Sequence, residues 1–151
     1  MNTSRNEITV LPMTASAVEY AAELESKALG NEAWSAEAIK ETLSRNGRYF
    51  AAFNNGELIG HGGFTIAADE GYITNIAVNG KFRRQGVAAM IIDSMVSCAE
   101  TLGLAFLSLE VRESNTAAIR LYEKTGFTER GKRPGFYSEP REAALIFTKD
   151  I

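Results

Sequence analysis

Residues 73–103 read ITNIAVNGKFRRQGVAAMIIDSMVSCAETLG, and this stretch decides the fold. A β-branched strand, ITNIAV, runs through a basic loop into the most regular helical pattern of the chain. From Gly86 onward, apolar residues recur at Val87, Ile91, Met95 and Cys98, with a second row at Ile92, Val96, Ala99 and Leu102. Gly103 stands where it can cap the helix end. A helix start presents unpaired N–H groups and the positive end of a dipole, so the loop before Val87 is a natural anion seat. Gly86 lets the backbone approach a phosphate, Ala88 keeps the first turn slim, and Arg83 and Arg84 offer charge-assisted contacts. The Lys-Ser/Thr pair of a P-loop and the three-glycine dinucleotide fingerprint are both absent from it.

Working outward, EITVLPM (residues 7–13) alternates and ends near a proline, as a first strand does. ASAVEYAAELESKAL (15–29) has helical spacing at Val18, Ala22 and Leu24 to Ala28. A second helix starts at Ser35 as N-cap, with Trp34 and Ile39 at the two positions of a hydrophobic staple. RYFAAF, an Asn-Gly turn and LIGHGGFTIA form a hairpin, and GYITNIAV is the next strand. After the long helix come the apolar strand LAFLSLEV, a helix in NTAAIRLYEKTGF capped by Asn115, and two strands, GFYS and AALIFTKD. The order is strand, two helices, three strands, helix, strand, helix and a final hairpin. That order describes a mixed α/β protein, residues 1–151 forming one domain.

Composition narrows the function. Hydrophobic residues are 45% and charged residues 23% of 151, an ordinary globular balance. A formal net charge of -3 argues against a protein that coats nucleic acid. One cysteine, Cys98, cannot close an internal disulfide, which suits a reducing compartment, and its apolar helix makes a buried thiol the simpler reading. One histidine and one cysteine argue against a protein-built zinc site. The start, MNTSRNEITV, lacks a secretory signal's apolar core, and no run reaches the roughly 20 apolar residues of a membrane span. The expectation is a cytoplasmic protein without membrane attachment.

Arg83-x-x-Gly86-x-Ala88 matches the Arg/Gln-x-x-Gly-x-Gly/Ala loop of the GNAT N-acetyltransferase superfamily, and the element order resembles its fold. SLEVRESNTAAIRLYEKTGF (108–127) is similar to the corresponding segment of the RimI-type ribosomal-protein-alanine N-acetyltransferases. NIAV (75–78) and GFYSEPREAALIF (135–147) fit the same group. The resemblance spans roughly residues 8–149 and is strongest from 75 to 127. It implies the GNAT fold: a mixed central sheet of six to seven strands flanked by about four helices. It also implies acetyl coenzyme A as cosubstrate, with no metal.

Carried over by position, the backbone of Ile76, Ala77 and Val78 would pair with the pantetheine arm as an added strand would. Amides and side chains of Arg83, Arg84, Gln85, Gly86, Val87, Ala88 and Ala89 would hold the pyrophosphate. Asn115 would touch the pantetheine, or serve as a plain helix cap. The resemblance gives Glu110 as general base and Tyr122 as general acid at the coenzyme A sulfur. Leu109 and Val111 suggest apolar surroundings for Glu110; a Glu paired with Arg112 or another cation is the plain alternative. Tyr122 at helical spacing from Ala118 is equally compatible with a core tyrosine. Oxyanion help falls to a backbone N–H of the NIAV strand. Glu70 and Tyr137 fall on the acceptor side, with Phe136 where a tyrosine is more usual. His61 reads as a structural histidine.

The first 50 residues match least, with Ala33 where a proline is common before Trp34-Ser35. Glu23, Glu25 and Glu32 would either favour a basic peptide or face water. Three functions are therefore weighed. The first is acetylation of a protein N-terminus, an Ala- or Ser-starting chain such as a small ribosomal protein. The second is acetylation of a small amine: an amino acid, polyamine or antibiotic. The third is a non-catalytic coenzyme A-binding module.

Overall fold

The periodicities of 3.6 and 2 resolve, in the computed structural model, into four helices and seven strands among the described residues, 7–151. In chain order they are β1 (Ile8–Pro12), α1 (Val18–Leu29), α2 (Ala36–Ser44), β2 (Gly47–Asn54), β3 (Glu57–Ala67), β4 (Glu70–Val78), α3 (Val87–Leu102), β5 (Phe106–Arg112), α4 (Thr116–Lys124), β6 (Thr128–Tyr137) and β7 (Glu142–Asp150). The strands make one sheet, ordered β1-β2-β3-β4-β5-β7-β6. Every neighbouring pair is antiparallel except β4 and β5, which are parallel.

Side-chain alternation divides the core into two layers. On one face α1 and α2 bury Val18, Ala21 and Ile39 against Tyr49 and Ala51 of β2. On the other, Val87, Ile91, Ile92, Met95 and Ala99 of α3 pack on Ile59, Phe64, Leu107, Leu109, Val111 and Phe147, with Ile119 and Tyr122 of α4 beside them. Local chemistry fixes the ends. Ser35 Oγ accepts from Ala38 N at 3.1 Å, and Trp34 and Ile39 share one apolar cluster, as a capping residue and staple should. Asn55 and Gly56 have φ of 52° and 83°, the paired left-handed residues of a tight β2–β3 hairpin. Gly103, at φ 72°, closes α3.

Three sequence expectations change. Glu25 is not on a water-facing side of α1: it is fully buried, as is Leu24 nearly so. The strand before the last was expected to be short, yet β6 begins at Thr128. Nearly every residue of β6 is exposed, so it shows no alternation to read. On α3, Cys98 is half-buried and Leu102 is 42% exposed, so both apolar rows thin out towards the helix end. The expectation of no signal segment rests partly on residues 1–6, outside the described residues. No helix among the described residues is long and apolar enough to cross a membrane.

Glycine at position 63 is required by packing. A Cβ there would lie 2.5 Å from Cγ of the buried Tyr49 ring. Gly63→Ala should lower unfolding stability by about 1–3 kcal/mol in a denaturant titration.

Candidate active site

Strands β4 and β5 pair over three positions only, Glu70↔Phe106, Gly71↔Leu107 and Tyr72↔Ser108. Beyond them β4 stays paired to β3 as far as Val78, and β5 to β7 as far as Arg112. The two strands therefore part, and a wedge opens in the middle of the sheet. Its cause lies in β4 itself. The register with β3 slips between Gly63↔Asn75 and Phe64↔Ile73, leaving Thr74 as an extra, bulged residue. A bulge bends its strand and increases twist, here at the point where pairing with β5 ends. Past the bulge, Ile76, Ala77 and Val78 have one edge bonded to β3 and the other turned to the wedge.

The basic loop ends at the same opening. Gly86 is the N-cap of α3, at φ 77° and ψ 13°, and Met90 N–H makes a bond to its carbonyl at 3.0 Å. The amides of Val87, Ala88 and Ala89 precede that bond and have no intrahelical acceptor. Arg84 is also left-handed, at φ 65°. A Cβ on Gly86 would meet nothing within 4 Å, so its positive φ, rather than crowding within the protein, accounts for the glycine. Arg83 and Arg84 are exposed and form no ion pair with another described residue. Arg83 also lines a cleft of about 800 Å³ between α1 and the β2–β3 turn, with Tyr20, Lys27, Leu58 and Asn79. None of Glu110, Tyr122 or Tyr137 reaches that cleft.

Glu110 and Tyr122 stand on opposite faces of the sheet, Glu110 on β5 past its last pair with β4 and Tyr122 in the layer of α3. Glu110 is the one exposed position of β5, between Leu109 and Val111, which turn into the α3 layer. The apolar enclosure expected for Glu110 is not found. Its side chain is 36% exposed and its carboxylate lies 3.5 Å from Arg133 Nη1, not from Arg112. Tyr122 comes from the α4 side, half-buried, its ring against Phe127 and Phe147 at centroid distances of 5.9 and 6.5 Å. Its hydroxyl has no hydrogen-bond partner among the described residues. Burial, and secondarily the Tyr137 phenol, push its pKa up to about 12, so it holds its proton throughout the neutral range. Asn115 Oδ1 accepts from Ala118 N at 3.2 Å as the cap of α4. That leaves its amide N–H₂ to donate elsewhere.

Tyr137 packs on the guanidinium of Arg112, which sequence reading weighed only as a partner of Glu110. Arg112 Nε donates to Glu32 Oε2 at 2.6 Å, and Nη1 to Glu142 Oε1 at 3.2 Å and to Pro140 O at 3.0 Å. Its Nη2 donates to Ser138 O at 3.2 Å, and its plane stacks 4.4 Å from the Tyr137 ring centre. One side chain thus straps the loop of residues 30–35 to the β6–β7 turn. Glu142 also accepts from Ser114 N at 2.5 Å, and these donors, Ser114 foremost, hold its carboxyl below the usual range. Phe136 is 46% exposed, edge-on to Tyr137 at 5.0 Å, with Arg133 5.7 Å from its ring centre. Glu70 accepts from the Tyr72 hydroxyl, and both lie on the face of Glu110. Their i, i+2 spacing on one strand was the available signal for Tyr72. His61 is fully buried on β3, opposite Ala77 of β4, and burial pushes the Cys98 thiol up, away from nucleophile chemistry. Among the described residues, no His/Cys/Asp/Glu cluster is arranged to hold a metal.

Tyr137 is also raised to about 12, chiefly by burial. Between pH 10 and 12 the folded protein therefore keeps phenol protons that the unfolded chain has lost. Stability is fully present below pH 10 and falls as pH rises through that window. Chemical denaturation across the window should show the fall, and Tyr122→Phe should make it shallower.

Comparison with known proteins agrees with this fold. The model of the Acetyltransferase (GNAT) family matches residues 15–127. The chain is 33% identical over 120 residues to the [ribosomal protein bS18]-alanine N-acetyltransferase of Escherichia coli (strain K12), covering 78% of this chain and 81% of that protein. The crystal structure of the ribosomal-protein-S18-alanine N-acetyltransferase from Escherichia coli superposes with a TM-score of 0.88 at 30% identity, covering 95% and 94% of the two chains. A GNAT family acetyltransferase from Elizabethkingia anophelis, solved with acetyl-CoA bound, shares the fold at a TM-score of 0.80 and 24% identity, over 97% and 99%. The reading as a non-catalytic module falls away: the chain belongs to the GNAT family and is a RimI-like N-acetyltransferase.

Proposed function

We propose that this enzyme acetylates the N-terminal α-amine of a protein, a small ribosomal protein being the candidate target, in the cytoplasm, with residues 1–151 acting as one domain. Its chief support is a carboxylate on β5, just past the point where β5 parts from β4, with a protonated phenol on the other face of the sheet. The similarity to enzymes named for ribosomal-protein alanine acetylation adds the acceptor class.

Acetyl coenzyme A would supply the acetyl group as an activated thioester. The free edge of Ile76, Ala77 and Val78 suits its amide-bearing arm. Amides and side chains of residues 83–89 suit its pyrophosphate, and the uncommitted Asn115 N–H₂ suits the arm near α4. Glu110 takes a proton from the acceptor amine as its nitrogen bonds to the acetyl carbon. Tyr122 gives a proton to the sulfur as the carbon–sulfur bond breaks. An α-amine, with a pKa of about 7.7–8.0, is already partly neutral near pH 7, whereas a lysine near 10.4 is not. An exposed carboxylate is therefore adequate for the first and poorly matched to the second. Arg133 must give way as the amine approaches Glu110, while Glu70 and Tyr137 line the acceptor's path.

Thiol release from acetyl coenzyme A should be seen with Ala- or Ser-starting peptides and not with the same peptides N-blocked and bearing one lysine. Turnover confined to free amino acids or polyamines would replace this reading with the small-amine one. Tyr122→Phe should leave acetyl coenzyme A affinity unchanged and lower kcat by about 10² to 10⁴; unchanged kcat removes Tyr122 from the chemistry. Gly86→Val forces a β-branched residue to positive φ, at a strain of about 1–3 kcal/mol. It should weaken acetyl coenzyme A binding about tenfold or more as amide contacts are lost. A folded variant with undiminished affinity would place the pyrophosphate elsewhere.

A further inference from the structure

One buried polar cluster takes no part in the chemistry above. Glu25, in the last turns of α1, is 0% exposed and bonds to separate elements. One carboxylate oxygen accepts from the backbone N–H of Trp34, where the loop of residues 30–35 enters α2. The other accepts from the Asn75 side-chain amide, on β4 directly after the bulged Thr74. His61 Nε2 of β3 stands 2.9 Å from that second oxygen without hydrogen-bond alignment, and its Nδ1 has no hydrogen-bond partner among the described residues.

The connection continues through the bulge. Thr74 Oγ1 lies 2.7 Å from Asn75 Oδ1, an acceptor, and this uses its single proton. The Tyr49 hydroxyl, 3.1 Å away, is then the donor to Thr74. The run is Tyr49 to Thr74 to Asn75 to Glu25, which Trp34 N–H meets from the far side. Position 25 neighbours Val18, Ala21 and Leu24 in the apolar stripe of α1. An apolar residue of similar volume would bury there at less cost than a carboxylate, so stability alone does not account for glutamate.

We propose that Glu25 is a positioning residue for acetyl transfer, tying the acceptor loop, residues 30–35, to the β4 bulge. The acceptor loop carries Glu32, one end of the Arg112 strap, and the bulge opens the edge assigned to the thioester arm. Glu25 is the shared anchor that fixes the distance between the two substrates. The proposal rests on reading those two segments as the acceptor and acyl sides.

Glu25→Leu removes both bonds while filling the volume, and Glu25→Gln keeps a carbonyl oxygen for Trp34 N–H. With the full chain, the KM for an Ala-starting peptide should rise about tenfold in Glu25→Leu, a misplacement effect, while acetyl coenzyme A affinity stays within about twofold. Glu25→Gln should recover most of that loss. Amide hydrogen exchange in residues 30–35 should be faster in Glu25→Leu than in wild type. A residue that only stabilised the fold would lower Tm and leave the KM ratio untouched. Should Glu25→Leu fail to fold, Asn75→Ala cuts the β4 tie alone, and there kcat should drop about tenfold. Unchanged kinetics in a folded Glu25→Leu or Asn75→Ala, or unchanged exchange in the loop, overturns the proposal. If the wild type acetylates only small amines, the peptide reading fails and the same KM comparison with that amine decides the role of Glu25. If it turns over neither, the exchange experiment decides.

Discussion

Everything at the centre of this enzyme follows from the short pairing of β4 with β5. Parallel strands joined through α3 would ordinarily run together, and here they hold for three residue pairs and separate. One additional residue, Thr74, is enough to bend β4 away, and the hydroxyl of Tyr49 and the amide of Asn75 keep that bend in one form. Separation leaves backbone groups of β4 without strand partners in the middle of a sheet, a state the protein alone would avoid. It also gives the two faces of the sheet a passage between them.

The two sides of the opening are built on different physics. On the α3 side the groups are backbone amides and a half-buried, protonated tyrosine, with apolar packing from Phe127 and Phe147 around it. On the α1 side they are charges: Glu110 with Arg133, and Arg112 with Glu32 and Glu142. Apolar packing holds the first arrangement rigid. The second depends on ion pairs at the protein's surface, and partly exposed pairs of this kind contribute little individually to stability. Their value lies in geometry, since Arg112 fixes two loops with one planar, many-donor group.

Legibility in the sequence tracked these differences. The long helix α3, its bracketing glycines, the Asn-Gly hairpin and the Ser35 and Asn115 caps were readable because each depends on neighbours in the chain. The left-handed glycine before α3 was legible for the same reason. Strand β6 was not, because an edge strand with exposed side chains on both faces carries no period. Glu25 was misread because a single carboxylate in an acidic helix looks solvent-facing until its partners, 9, 36 and 50 residues away, are brought to it. The role of Arg112 escaped because its partners lie in two segments, at residue 32 and at 138–142, far from it and from each other in the chain. The bulge at Thr74 escaped too, for a bulge is a relation between two strands and not a property of one.

The charged edge at β6 has an implication of its own. A terminal strand offers open backbone groups to any passing β-segment, including the same strand of another molecule. Here that strand carries Arg130, Lys132 and Arg133, followed by Pro134, which has no N–H to give, and by Gly135 at φ 63°. Charged side chains, a position without an N–H and a register shift near its end make this edge a poor template for adding strands. The last strand of the sheet is thus shielded against recruiting a further one.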